Sequence, residues 1–348
     1  MSFIRSLILA VSLLLAVAVG ALFVTGVLRL FPFLAEWGMA EGAGQEPPGR
    51  DMTSLDVLSR LSLFPGGPAG RTIVAVVVEN HAAARPHQRG LADALLVQEY
   101  LVEGLISRFV AFFDAAGLPR SVGPVRSIRS YFLDGLRPLA SVIYHAGGSP
   151  DALDRARDDP HVAAFNGLAL PEHFLRADGI PAPHDLFISR GAIKDLLPER
   201  LPETLWPPYA LSDAVPPSGE RAGDVRVLFF NPDHDVTYAY DSWFKWYERT
   251  NGGLVSEARP RNVLILETLV REAYEQGRLR VDLTGSGRLL LFRSGAVFRG
   301  FWAKASPDAP FVFSDARGGV LPLAPGQTWM TVLPTLERVK WEMDGAGS

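Results

Sequence analysis

Residues 71–80, RTIVAVVVEN, follow a chain-breaking PGGPAG and hold six apolar residues in succession, most of them β-branched. Branched side chains are stiff about χ1 and suit a pleated strand. A run of this kind with no polar alternation reads as a strand buried in a core. SRFVAFFD (107–114) and ASVIYHA (140–146) read as two further strands. Between them, residues 91–104 carry leucines and valines at mixed spacing and are read as a helix. Pro124 is placed in the first turn of another, continuing through VRSIRSYFLDGL. Asp151–Arg157, after Ser149-Pro150, starts a third. Strands interleaved with helices predict an α/β or α+β domain over residues 70–205.

A proline-rich stretch at 206–221 reads as a linker, and beyond it the pattern changes. VRVLFF (225–230), DSWFKWYERT (241–250), NVLILETLV (262–270), RLRVDL (278–283), RLLLFRSGAVFRGFWAK (288–304) and WMTVLP (329–334) are strand-like. Turn residues such as Asn251-Gly252-Gly253 and Ser294-Gly295 separate them. A mainly β domain is predicted over residues 222–345.

The other end of the chain is read from its hydropathy. Ser6–Leu28 is uncharged, lies between Arg5 and Arg29, and is long enough to cross a bilayer as a helix. A cleavable signal peptide has a shorter apolar stretch, and this run continues past the small residues at 19–21. Residues 1–30 are therefore expected to be a single-pass anchor in the cytoplasmic membrane. Arg5 favours a cytoplasmic amino terminus, leaving the bulk of the chain extracytoplasmic. Residues 31–69 are read as a spacer with one short helix. The 348-residue chain carries a net charge of -4, which argues against nucleic acid as a partner. It has no cysteine, so disulfides, thiolate nucleophiles and cysteine-ligated zinc are excluded.

Chemistry-bearing residues gather between 79 and 184. Arg126 and Arg129, on one face of a helix, would clamp a carboxylate or phosphate through fork-like hydrogen bonds. The plainer reading pairs them internally with Glu99, Glu103 or Asp134. His145 ends a strand before Gly147-Gly148, and a glycine turn there exposes backbone amides that suit an anion. The alternative is a buried, hydrogen-bonded histidine. Glu99 and Glu103, four apart, suit acid–base work or a salt bridge with Arg108. His184-Asp185 would meet His145 if their strands adjoin, giving a hydrolytic site. His234, in NPDHD, reads as part of a solvated hairpin turn. Trp243, Trp246, Tyr247, Trp302 and Trp329 are read as core aromatics, with stacking on sugar rings as the alternative. No HExxH, GxGxxG or P-loop pattern is present, and no metal or cofactor is expected.

VENHAAARPHQRGLADALLVQEYLVEGLISRFVAFF, VGPVRSIRSYFLD, IYHAGGSPDAL and PHDLFIS, in this order, closely resemble the bacterial YerB-like lipoprotein family, as do GFWAK and APGQTWMTVLP nearer the carboxy terminus. The resemblance runs from about residue 70 to 338. It implies an exported envelope protein with a domain of unknown function, and it transfers no catalytic role. The chain departs from the family in having no lipobox cysteine, so the apolar helix would replace the lipid. By resemblance the family blocks fall on Asn80, Arg85, Pro86, Gly90, Glu99, Glu103, Gly104, Arg108, Gly123, Pro124, Arg126, Arg129, His145, Gly147, Gly148, Pro183 and His184.

Three functions are compatible with these residues. A binder of an anionic envelope ligand, such as a cell-wall fragment, would use Arg126, Arg129 and the Gly147-Gly148 turn, in a cleft with Asn80, Arg85, Glu103 and His145. An envelope hydrolase would pair His145 or His184 with Glu99 or Glu103. A structural or assembly protein would have no catalytic site.

Overall fold

The structure, a computed structural model, describes residues 71–201, 204, 206, 209–217, 219–272 and 277–342. The predicted anchor, spacer and short helix lie outside them. Strand β1 is Ile73–Glu79, β2 is Leu96–Leu101 and β3 is Ser107–Asp114. β3 lies between the other two and pairs antiparallel with both, with Ile73 opposite Asp114 and Glu79 opposite Arg108. On the free side of β1, strands Val142–His145 and Ala163–Asn166 add in parallel.

On the free side of β2 the next strand comes from the far end of the chain. Thr328–Leu333 pairs with it in parallel, Leu96 opposite Thr328 and Tyr100 opposite Val332. Asn262–Glu267, Gly285–Arg293, Ala296–Lys304 and Val312–Asp315 follow, with Glu220–Arg221 against the edge of Ala296–Lys304. One eleven-stranded sheet thus passes through both halves of the chain. The first half is mixed α/β and the second is mainly β, as its composition predicts.

Both faces of this sheet are covered, which explains the uninterrupted apolar run of β1. Val74, Val76 and Val78 face a core shared with Phe109, Tyr238, Tyr247 and Trp329. Ile73, Ala75 and Val77 face the other, with Phe132, Leu136, Trp302 and Met330. Helices α1 (Ser130–Leu136) and α2 (Pro150–Asp158) supply side chains to the second core. A five-stranded antiparallel sheet supplies the first, in the order Leu254–Val255, Trp246–Asn251, Val236–Asp241, Asp224–Val227, Val339–Glu342.

Several sequence expectations need correction. Residues 91–104 are not a helix. They form two short 3-10 turns, Leu91–Asp93 and Glu103–Leu105, on either side of β2. Every residue of β2 is buried, so its apolar pattern is that of a two-faced strand and not of a helix with mixed spacing. Gly90 (φ 86) and Gly104 (φ 70) bound the segment in left-handed conformations. The helix expected from Pro124 starts only at Ser130, so Arg126 and Arg129 precede it and share no helical face. α2 begins with Pro150 in its first turn, as expected. DSWFKWYERT is two strands with a turn between Asp241 and Trp246, and 288–304 folds back at Ser294-Gly295.

α1 is held against β2 by side chains that reach its backbone or β2's own. Gln98 Nε2 donates to Gly135 O (2.9 Å), Tyr100 donates its hydroxyl to Gln98 Oε1 (2.8 Å), and Tyr131 donates to Leu101 O (2.7 Å). A methyl on Gly135 would collide with the Tyr100 hydroxyl and approach Gln98 Oε1 to 2.8 Å. An unhindered Gly→Ala change of this kind stabilises by ~0.4–1 kcal/mol. Here overpacking wins, and Gly135→Ala is expected to destabilise the fold by about 1–3 kcal/mol in urea denaturation.

Candidate functional site

Polar side chains collect at one end of β1, β2 and β3, on both faces of the sheet. On the face toward the five-stranded sheet stands Glu99, from the middle of β2 and fully buried. Ser107 Oγ donates to its Oε1 (2.7 Å) and Trp329 Nε1 to its Oε2 (2.7 Å). Arg249, 1 % exposed, donates to both oxygens from Nη2, at 3.3 and 3.2 Å. Its guanidinium carbon lies 4.1 Å from the Trp329 ring centroid and 5.3 Å from that of Phe109. A buried carboxylate is tolerable only with such complete pairing.

Outward from Glu99, Asn80 Nδ2 donates to Ser107 Oγ (2.7 Å) and Arg85 Nε to Asn80 Oδ1 (3.3 Å). The Ser107 amide donates to His234 Nδ1 (3.2 Å), so the neutral ring carries its proton on Nε2. His234 is buried, which corrects the expectation of a solvated turn. It sits at the end of a 3-10 turn begun by Asn231-Pro232, whose geometry folds the imidazole inward. Burial, with Arg85, His81 and Arg249 nearby, pushes its pKa down to about 3.

By the alternation of the strands, Glu79 and Arg108 lie on the opposite face. Glu79 receives Arg126 Nε at Oε1 (2.9 Å) and lies 2.9 Å from His184 Nδ1 through Oε2. His184 stacks on His81 with ring centroids 5.2 Å apart. Arg129 clamps Glu103 by two bonds, Nε to Oε1 (2.7 Å) and Nη2 to Oε2 (2.6 Å). Burial raises the Glu103 carboxyl, but those bonds prevail and leave it below the usual value. Arg108 donates to Ser127 O (2.8 Å), and burial followed by repulsion from Arg129 brings its pKa down to about 10. It stays protonated at neutral pH.

The sequence candidates are thus divided. Asn80, Arg85 and Glu99 belong to the first network; Glu103, Arg108, Arg126, Arg129 and His184 belong to the second. His145 stands apart from both, with Nδ1 2.8 Å from Gly147 O and its pKa lowered by burial. Gly147 donates its amide to Asn166 Oδ1 (2.8 Å), and Ser149 N is taken by Ile128 O (3.3 Å), so two amides of the turn are already engaged. The carboxylate beside His184 is Glu79, not Glu99 or Glu103. Among the described residues, no cluster of three or more His, Asp or Glu side chains has the arrangement of a metal site. Tyr247, Trp302 and Trp329 are core aromatics as expected, whereas Trp243 is 86 % exposed.

The sequence reading missed Arg249 and gave Trp329 and His234 other roles, although Arg249 had a signal. Tyr247, Arg249 and Asn251 alternate with Glu248 and Thr250 along one strand, so a charge occupies an inward position.

The family model for the N-terminal domain of a protein of unknown function, DUF3048, matches residues 65–203, and that for its C-terminal domain matches 225–330. The chain belongs to the DUF3048 family. The putative lipoprotein YerB of Bacillus subtilis (strain 168) is 34 % identical over 281 residues, covering 77 % of this chain and 82 % of the relative. The crystal structure of Bacillus subtilis YerB superposes with a TM-score of 0.69 at 31 % identity, over 78 % of this chain and 94 % of that one. Within this DUF3048 fold, residues from the two matched regions meet at Glu99: Ser107 from the first, Arg249 and Trp329 from the second.

The titration of His234 has a direct consequence. Its folded-state pKa lies below the free value of about 6.5, so the unfolded chain binds more protons between pH 6.5 and 3. The resulting stability is present above pH 6.5 and is lost as pH falls through that window. The slope approaches about 1.4 kcal/mol per pH unit for one proton. His234→Gln is expected to flatten the pH dependence of urea stability between pH 6.5 and 5 by close to that amount.

Proposed function

We propose that this protein is an envelope protein that binds an anionic ligand, such as an acidic cell-wall fragment. The carrying observation is Arg126. It gives only Nε to Glu79 among the described residues, and its side chain is 29 % exposed. Its remaining donors suit an acidic group. Arg108 and Arg129 lie close enough to shape one another's field. These three guanidiniums face two carboxylates, Glu79 and Glu103, which leaves the cluster one positive charge in excess. His184 and His81 extend the polar face.

The relative's name, a putative lipoprotein, supports a membrane-associated site of action. With no cysteine to carry a lipid, Ser6–Leu28 would serve as the anchor, single-pass and with the remainder outside the cytoplasmic membrane. The two matched regions support two sequence regions at 70–205 and 222–345 joined by 206–221, which share one sheet and are not separate bodies, since Glu220–Arg221 pairs within it. Asn80, Arg85, His145, Gly147 and Gly148 are assigned here to supporting the fold of the site and not to first contact with this ligand.

The experiment is retention of labelled, enzymatically released cell-wall fragments. Arg126→Ala is expected to weaken retention of the acidic fraction at least tenfold, with Arg126→Lys intermediate. Equal retention by wild type and Arg126→Ala would sink the proposal.

A second reading, an envelope hydrolase, is favoured by the His184–Glu79 contact, since a carboxylate that orients an imidazole prepares a general base. It predicts that the fragments are cleaved and that Glu79→Gln abolishes cleavage. Binding without turnover excludes it.

A further inference from the structure

Arg85 and Arg249 also line a cavity of about 170 Å³ on the sheet face opposite Arg126. A water occupies ~30 Å³ of liquid volume, so this space suits one small acidic group with its neighbouring atoms rather than a polymer. Its walls come from both matched regions. Arg85, Gln88 and Leu91 approach from the 3-10 turns after β1, and Arg249, Asn251 and Leu254 from the hairpin Trp246–Val255.

Two wall residues hold buried polar atoms that find no hydrogen-bond partner among the described residues: Nη2 of Arg85 and Oδ1 of Asn251. The residues are 8 % and 2 % exposed. An unsatisfied buried donor or acceptor is destabilising, more so on a charged group, so two at one cavity call for a cause. Burial and the nearby Arg249 lower the pKa of Arg85, which shows two guanidiniums acting on one another. Glu99 does not relieve both, because its oxygens already serve Arg249, Ser107, Trp329 and Thr331.

The rest of the lining narrows the ligand. Leu254 and Val255 are 45 % and 57 % exposed, on the edge strand of the five-stranded sheet, and stand beside the arginines with Leu91 and Pro86. Glu257 is exposed on the same wall, and Asp233 acts on Arg85 from nearby. These acids disfavour a multiply charged phosphate. From this geometry we propose that the cavity binds the terminal carboxylate of a short peptide, with the terminal apolar side chain resting on Leu91, Leu254 and Val255. Planar guanidiniums match a carboxylate in bidentate fashion, and an edge strand suits an extended peptide.

The test uses the full chain in detergent with acetyl-alanyl-leucine, its C-terminal amide and inorganic phosphate, followed by calorimetry. The free acid, with a terminal leucine of one or the other hand, is expected to bind saturably, the amide at least tenfold more weakly and phosphate no better than the amide. Arg85→Gln is expected to weaken the acid at least tenfold. Gly252→Ala, whose methyl would collide with Arg85 Nη1, acts in the same direction without removing the charge. Arg126→Ala is expected to leave peptide binding unchanged, so this site and the cell-wall site fail or survive separately. Failure of both enantiomers to bind, or equal binding of acid and amide, would overturn the proposal, as would preference for phosphate. Unchanged affinity in Arg85→Gln, with native circular dichroism, would overturn it as well.

Discussion

Glu99 is a carboxylate with no access to water, placed at the centre of a strand that is buried on both sides. Removing such an ion from water costs several kcal/mol, which only close partners repay. Those partners are a serine on β3, an indole and a hydroxyl on Thr328–Leu333, and Arg249 from the second sheet. Arg249 is itself buried against the Trp329 and Phe109 rings. Neither charge is satisfied until both halves of the chain are in place. The parallel pairing of β2 with Thr328–Leu333 supplies the backbone of the same junction.

The polar residues at this end of the sheet follow from that junction. Ser107 serves Glu99, so Asn80 and the His234 ring take up its remaining bonding capacity, and Asn80 in turn steers Arg85. Burial, reinforced by Arg85, His81 and Arg249, keeps His234 neutral. On the other face, Glu79 and Arg108 begin a second chain of pairs that ends at Arg126, the residue with donors left over. One sheet end thus carries two networks of charged side chains, one on each face.

Much of the sheet was legible because burial on two faces leaves a plain mark. β1, β3 and Val142–His145 lie where their apolar runs predict. β2 was not, because LLVQEYLVEGL has polar residues at 98, 99 and 103 that imitate the polar face of a helix. Gln98 and Glu99 are buried and bonded to partners far along the chain, Gln98 to Gly135 and Glu99 to Arg249. The internal pairing of Arg129 with Glu103 was among the readings the sequence allowed, whereas the pairing of His184 with Glu79 spans 105 residues and leaves no local sign. The cavity beside Arg85 was hidden for the same reason, since its second arginine comes from the other half of the chain.

The dependence of both halves on one ion pair is tested most directly by a double-mutant cycle on Glu99→Gln and Arg249→Met, read as urea-unfolding free energies. Each single change leaves a buried charge unpaired and is expected to cost about 3–5 kcal/mol. The double variant is expected to cost clearly less than the sum of the two, with a coupling of about 1–3 kcal/mol. Additive costs, within about 0.5 kcal/mol, would contradict the account.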